Sequence, residues 1–272
     1  MNDMYNNFQK YFEIVIADTP ELLEHVYRIR YQVLCVEKRI SGFDPELYPD
    51  KMEIDDYDSH SSHALLRFLP SGDFIGTVRL VLYDLLQPEK LFPVESYAPL
   101  DPALCDIKAL PRLHIAEISR FVVVSQFERR DADRYESDQY NNDRRKQTVD
   151  ANSEKGTTQN RRSKDRRSAP PIALILMAGV VRMSIKYNIK NWISSMEPGL
   201  NRLLGYYGLD FNPAGSVVNY HGIRRPYYVK VEDVLSRMYT KYFDAWELVT
   251  DCGKYDPFLP VHEKVLNWEH IF

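Results

Sequence analysis

Residues 126–168 read QFERRDADRYESDQYNNDRRKQTVDANSEKGTTQNRRSKDRRS. The run holds 12 Lys and Arg, 9 Asp and Glu, and a single residue among Val, Ile, Leu and Met, Val149. So little apolar surface does not offset the entropy of ordering the chain. The stretch therefore predicts a charged, disordered insertion. Any fold must build its core from the two flanking pieces, and 1–125 with 169–272 read as a single domain. Within the insertion, Arg129-Arg130, Arg144-Arg145-Lys146, Arg161-Arg162 and Lys164…Arg166-Arg167 are locally basic. They suit either a solvated loop or the docking of an acidic partner.

The remaining sequence is ordinary enough to fold. The chain has 272 residues, 44% hydrophobic and 27% charged, which allows a sizeable core. Its net charge is −4; the insertion contributes +3, leaving −7 elsewhere. No overall basic field points to nucleic acid. Cys35, Cys105 and Cys252 are odd in number, far apart and without a CxxC pair. They predict neither disulfides nor a zinc site, and suit a reducing compartment. The start, MNDMYNNFQKYFE, has no apolar core of a signal peptide. The longest apolar run, IALILMAGVV (172–181), is too short to span a bilayer. The expectation is a cytoplasmic protein with no membrane span and a buried helix at 172–181.

Periodicity supplies the elements. YFEIVIA (11–17) alternates as a strand. Next, Thr19 suits an N-cap, Pro20 the first helical turn, and Leu22, Val26, Ile29 and Val33 recur at helical spacing. Residues 40–61 read as loop. HALLRFL (63–69), a turn at 70–73 and FIGTVRLVL (74–82) predict a hairpin. After the insertion come a helix starting at the Pro170-Pro171 pair, a strand 191–196, a short helix 198–207, strands in SVVNYHG and IRRPYYVK, and a helix 231–245. The order predicts one α/β sheet with helices on both faces.

The strand HIAEISRFVVV (114–124) carries Glu117, Ser119 and Arg120 in its middle. Alternation places Glu117, Ser119, Phe121 and Val123 on one face, and Ala116, Ile118 and Arg120 on the other. Arg79, in GTVRLVL, is a second charge in a core-like strand. Buried charges are costly unless paired. These groups either form register-setting ion pairs, such as Arg79–Glu117 or Arg120 with a carboxylate, or line a polar cleft. MEIDDYDSHSSHALL (52–66) adds Asp55, Asp56 and Asp58, with no EF-hand spacing and no His pattern that marks a metal site.

The ordered pieces FEIVIADTPELLEHVYRIRYQVLCVEK, EIDDYD, GTVRLVL, AEISRFVVV, MEPGLNRLLGYYGLDF and NYHGIRRPYYV resemble the acyl-homoserine-lactone (autoinducer) synthases and the N-acyl amino acid synthases. The array is most similar to the acyltransferases associated with PEP-CTERM/exosortase systems. The resemblance implies a GNAT-like fold: a mixed, mostly antiparallel central sheet flanked by helices, splayed at the 114–124 strand. It implies an N-acyltransferase that moves an acyl group from an acyl carrier protein thioester, presented on phosphopantetheine, to a small-molecule amine such as an amino acid. No tightly bound cofactor and no metal is implied.

In that chemistry Glu117 accepts the ammonium proton, and backbone N–H groups of Phe121, Val122 and Val123 hold the oxyanion. Arg79, Ser119, Arg120, Asp55, Asp58 and Arg30 contribute to substrate binding. Arg129, Arg130, Arg166 and Arg167 are positioned to meet the acidic carrier. Arg28 and Arg30 match a basic position of the family only loosely, and a solvated helix face is the alternative. His221 reads as a strand-end histidine or a base, and Tyr206 and Tyr207 as cleft wall or proton donor.

Two departures matter. Coenzyme A-using members of the fold carry a Gly-rich pyrophosphate loop after this strand, where this chain has SQFERRD. The autoinducer synthases carry an N-terminal Trp that helps form their S-adenosylmethionine site, and the first Trp here is Trp192. A coenzyme A-dependent N-acetyltransferase, an acyl-homoserine-lactone synthase and a non-catalytic acyl-carrier-binding module remain the alternatives.

Overall fold

The computed structural model describes residues 2–128 and 170–259. Arg129, Arg130, Arg166 and Arg167 lie outside the described residues, as do all but the first three residues of the expected insertion. The helices are α1 (Asp3–Tyr11), α2 (Pro20–Tyr31), α3 (Pro93–Tyr97), α4 (Ser125–Glu128), α5 (Ile172–Lys186), α6 (Pro198–Gly205), α7 (Val231–Lys241) and α8 (Phe243–Thr250). The strands are β1 (Phe12–Ile16), β2 (Ser61–Phe68), β3 (Phe74–Val81), β4 (Ile115–Val123), β5 (Asn191–Met196), β6 (Asn212–Pro213), β7 (Val218–Asn219) and β8 (Ile223–Lys230). They form one sheet ordered β1-β2-β3-β4-β5-β8-β6, with β7 also paired to β8. Every pairing is antiparallel except β4 with β5.

Helices cover both faces. The Thr19 side chain caps α2 by accepting from the Leu22 N–H, and Pro20 opens its first turn. Val26 and Ile29 of α2 bury against Leu65 and Val122 on one face of the sheet. On the other face lies α5, whose residues from Leu174 to Val181 are all buried. A helix apolar on every side must be enclosed, and each large aliphatic side chain so buried contributes about 1.5–3 kcal/mol. Gly179 lets this helix sit close on the sheet: a Cβ there would lie 2.7 Å from the Ala64 Cβ. Helices α1, α7 and α8 complete this layer.

Two expectations change. The helix expected over 231–245 breaks at Tyr242, whose ring packs so tightly over Gly208 that a Cβ there would lie 2.6 Å from it. SVVNYHG contributes only Val218–Asn219, because the chain turns through left-handed His221 (φ 52°) and Gly222 (φ 104°) into β8.

The larger correction concerns β4. Arg79 pairs with Ser119, and Thr77 with Val122, so Val78 alone faces both Arg120 and Phe121. This is a β-bulge, and Arg120 adopts φ 48° within it. For a non-glycine residue such a conformation costs about 1–3 kcal/mol. The bulge resets the alternation. Val122 joins the core beneath α2 with Leu65, whereas Phe121 and Val123 join the core beneath α5. Phe121 and Val123 therefore lie opposite Glu117 and Ser119, and Arg120 turns to the Glu117 side, the reverse of strict alternation.

Candidate active site

The parallel pairing of β4 with β5 covers only Ile115↔Asn191, Ala116↔Trp192 and Glu117↔Ile193. Beyond it the strands part, and the Ser194 hydroxyl donates to the Ile118 carbonyl at 2.9 Å. A cavity of about 700 Å³ opens in the gap. One region is polar, with Glu117, Ser119, Arg79, Tyr220 and His221; another is apolar, with Met177, Leu200, Leu204, Tyr207 and Phe211. The Val124 N–H donates to the Ile75 carbonyl, and Val122 lies opposite Thr77 in the same ladder. By alternation Val122 directs its backbone to β3, leaving Phe121 and Val123 to direct theirs into the gap. Of the three expected oxyanion donors, Val122 is thus committed elsewhere.

Glu117 sits where the strands separate. It is buried, and one carboxyl oxygen accepts from the Val94 N–H at 2.7 Å. Burial pushes its pKa up to about 8, against the pull of that N–H and of Arg79 and Arg120. Among the described residues no direct Arg79–Glu117 ion pair forms; Arg79 turns to other carboxylates.

Those carboxylates belong to a closed network of three guanidinium and three carboxylate groups. Arg30, from the last turn of α2, bonds Glu53 and forks onto Asp58 at 2.7 and 3.0 Å. Arg79 reaches Asp55 at 2.5 Å, Asp58 at 3.0 Å and the Ser119 hydroxyl at 2.9 Å. Arg120 reaches Glu53 at 2.9 Å and Asp55 at 2.7 Å. Arg30 and Glu53 are wholly buried. Burial by itself would raise the carboxyl pKa values, yet Arg30 with Arg79 holds Asp58 well below its usual range, Arg30 with Arg120 lowers Glu53, and Arg79 with Arg120 lowers Asp55. The charges cancel, so the network ties α2, the 53–58 loop, β3 and β4 into one piece.

All six expected substrate-binding residues meet here, but principally one another. Arg79, Ser119 and Arg120 also line the cavity. Glu53, the network's most buried carboxylate, escaped sequence reasoning. The signal was its place at the head of EIDDYD, on the same loop as Asp55 and Asp58, which a reading focused on aspartates passes over.

Other candidates resolve simply. Arg28 is half-exposed and pairs with Glu24 on the helix surface, whereas Arg30 is interior. His63 is buried among the charges; burial and Arg30 push its pKa down to about 3, so it is neutral. Its Nε2 lies 3.6 Å from Asp58. His221 lines the cavity and packs against Phe43 and Tyr220. Tyr207 lines the cavity, while Tyr206 is exposed. Burial pushes the Cys35 and Cys105 thiols up to about 11, which suits structural cysteines. Trp192 is core, its indole N–H donating to Ser184 at 2.8 Å. Among the described residues no helix is long and apolar enough to cross a membrane.

A family model described as an acetyltransferase (GNAT) domain matches residues 29–137. No curated protein sequence matches the chain. Among solved structures, the CoA-dependent acyl-homoserine lactone synthase BjaI, with SAM and isopentyl-CoA, is 17% identical; the match covers 89% of this chain and 99% of that one, at TM-score 0.52. The N-acyl amino acid synthase FeeM from uncultured soil microbes is 12% identical, over 85% of this chain and 96% of that one, at TM-score 0.49. The AHL synthase LasI is 17% identical, over 80% and 88%, at TM-score 0.45. With its mostly antiparallel sheet, helices on both faces and a β4–β5 pair that parts over a cavity, the chain has a GNAT fold.

Proposed function

We propose that the chain is an N-acyltransferase that carries an acyl group from a thioester to an amine. The observation that carries this reading is Glu117: a buried carboxyl with a proton affinity near neutrality, placed where β4 and β5 part over the cavity. A general base works best when its pKa lies near the working pH. Ionised Glu117 takes a proton from the acceptor ammonium. The freed amine attacks the thioester carbonyl, forming the C–N bond and a tetrahedral oxyanion. Backbone N–H groups of Phe121 and Val123, which alternation directs into the gap, would hold that oxyanion. Collapse breaks the C–S bond, and the departing thiolate recovers a proton that the amine has given up, either from Glu117 or from the nitrogen itself.

The donor we favour is a long-chain acyl group on the phosphopantetheine arm of acyl carrier protein, with no tightly bound cofactor. The apolar cavity region supports a long chain. The lack of glycine in SQFERRD supports a carrier protein over coenzyme A. Arg129, Arg130, Arg166 and Arg167 would meet the acidic carrier. The ordered motifs favour kinship with the PEP-CTERM/exosortase-associated acyltransferases and cytoplasmic work on a soluble donor.

The test is mass spectrometry of lipid extracts from cells expressing the chain or its Glu117→Gln variant. A new N-acylated amine found only with intact Glu117 supports the reading. Equal amounts with both proteins, or none from folded protein supplied with acyl donors, would sink it.

A further inference from the structure

One hydrogen bond to Glu117 comes from outside the sheet, from the Val94 N–H of the short helix α3 at 2.7 Å. Burial raises the proton affinity of Glu117; that N–H pulls it down, as do Arg79 and Arg120, and the carboxylate of Glu95 pushes it up. Tyr57 and Tyr220 also face the group. Arg79 and Arg120 are fixed by the carboxylate network. The Val94 N–H is fixed by a different pair of side chains.

A helix as short as α3 does not hold itself in place. It lies in the connector between β3 and β4, which has no other α-helix or strand. Glu95 anchors it from within: one carboxyl oxygen accepts from the Phe92 N–H at 2.9 Å and closes the first turn. Arg112, just before β4, forks onto both oxygens of that carboxylate at 2.8 Å each. The guanidinium also lies over the Phe92 ring, 4.6 Å from its centroid. The Glu95 side chain is 7% exposed and that of Arg112 24%. A bidentate pair sheltered in this way is strong and directional, unlike a mobile surface pair. The chain entering β4 is therefore bound to α3 twice, by Arg112 at Glu95 and by Glu117 at Val94. Of residues 92–95 and Arg112, only Pro93 lines the cavity. Glu95 and Arg112 thus act through Val94, and neither lies in the sequence pieces that carry the family resemblance.

We infer that Arg112 and Glu95 are a positioning pair for the base: their fork holds α3 where the Val94 N–H meets the Glu117 carboxylate. The catalytic meaning of the pair rests on the N-acyltransferase reading. Releasing the fork lets α3 draw away, and the ionised form of Glu117 loses a donor. Glu117 then keeps its proton to higher pH, and a smaller fraction of the protein carries a base at neutrality.

The experiment titrates Glu117 in the full chain by infrared spectroscopy, through the protonated-carboxyl band that Glu117→Gln removes. Arg112→Gln and Glu95→Ala are compared with wild type. Glu95→Ala decides the matter, because removing a like charge by itself lowers the midpoint, whereas losing the Val94 contact raises it. The expected result is a rise of about one pH unit or more in both variants, the worth of one hydrogen bond to a charged group. The pH midpoint of kcat/KM should rise with it, read with palmitoyl-acyl carrier protein and a mixture of the standard amino acids. A merely structural role would lower that rate equally at every pH. Thermal melts establish that each variant is folded; where Glu95→Ala is not, Glu95→Gln, which also loses the charge and part of the fork, replaces it with the same expected sign. A midpoint in the folded Glu95 variant at or below the wild-type value overturns the positioning pair. Raised infrared midpoints without any acyl transfer by the wild type would keep the pair and overturn the acyltransferase reading instead.

Discussion

Replacing Glu117 by Gln separates its charge from its shape. The pKa rises from 4.5 to about 8 on folding because the ionised form is desolvated. The folded state thus holds its proton where the unfolded chain has released it. The stability this confers is fully present below pH 4.5 and is lost as the pH rises through about 8. The slope is about 1.4 kcal/mol per pH unit, and the full span amounts to about 5 kcal/mol as an upper estimate. Gln keeps an oxygen for the Val94 N–H but never ionises. Urea unfolding of both proteins from pH 5 to pH 9, followed through the buried Trp192 and Trp246, isolates the effect as a difference. Wild type should lose several kcal/mol relative to the variant over that range. Its kcat/KM should climb with pH and level off above about 8, while the variant should be about 10²–10⁴-fold slower. A stability difference that stays flat from pH 5 to pH 9 would refute the elevated pKa, and the poised base with it.

Three further outcomes follow from the packing. Arg30→Met leaves Glu53 and Asp58 without their buried partner and should cost about 3–5 kcal/mol, read as a lower midpoint in urea. Gly179→Ala forces a Cβ to within 2.7 Å of Ala64 and should destabilise by about 1–3 kcal/mol despite alanine's better helix propensity, read by thermal melt. His63 has its pKa depressed from 6.5 to about 3, so its contribution is present above pH 6.5 and lost as pH falls through about 3. Neither ring nitrogen has a hydrogen-bond partner among the described residues, so His63→Leu should be no less stable at pH 7 and should resist acid unfolding better, as pH-jump fluorescence would record.

Most elements were legible because periodicity and end signals are local. Thr19-Pro20 announced α2, the 70–73 turn announced the β2–β3 hairpin, and an unbroken apolar run announced the buried α5. The residue types around Glu117, Arg79 and Arg120 also pointed to strands that border the cavity. Their partners were not legible, because each pair joins segments far apart in sequence: Arg30 meets Glu53 and Asp58, and Arg120 meets Glu53 across 67 positions.

The face on which a β4 residue lies was decided by tertiary structure alone. Alternation predicts Phe121 and Val123 beside Glu117, and it fails because two residues of β4 face one of β3. A bulge is a property of two paired strands, so neither strand's own sequence announces it. The gap that makes the cavity has the same origin. Ile115–Glu117 pairs with Asn191–Ile193 and then stops, and only the assembled sheet shows that the strand continues without a neighbour. The sequence determined which residues carry charge into the core; strand pairing determined which of them meet each other and which face the cavity.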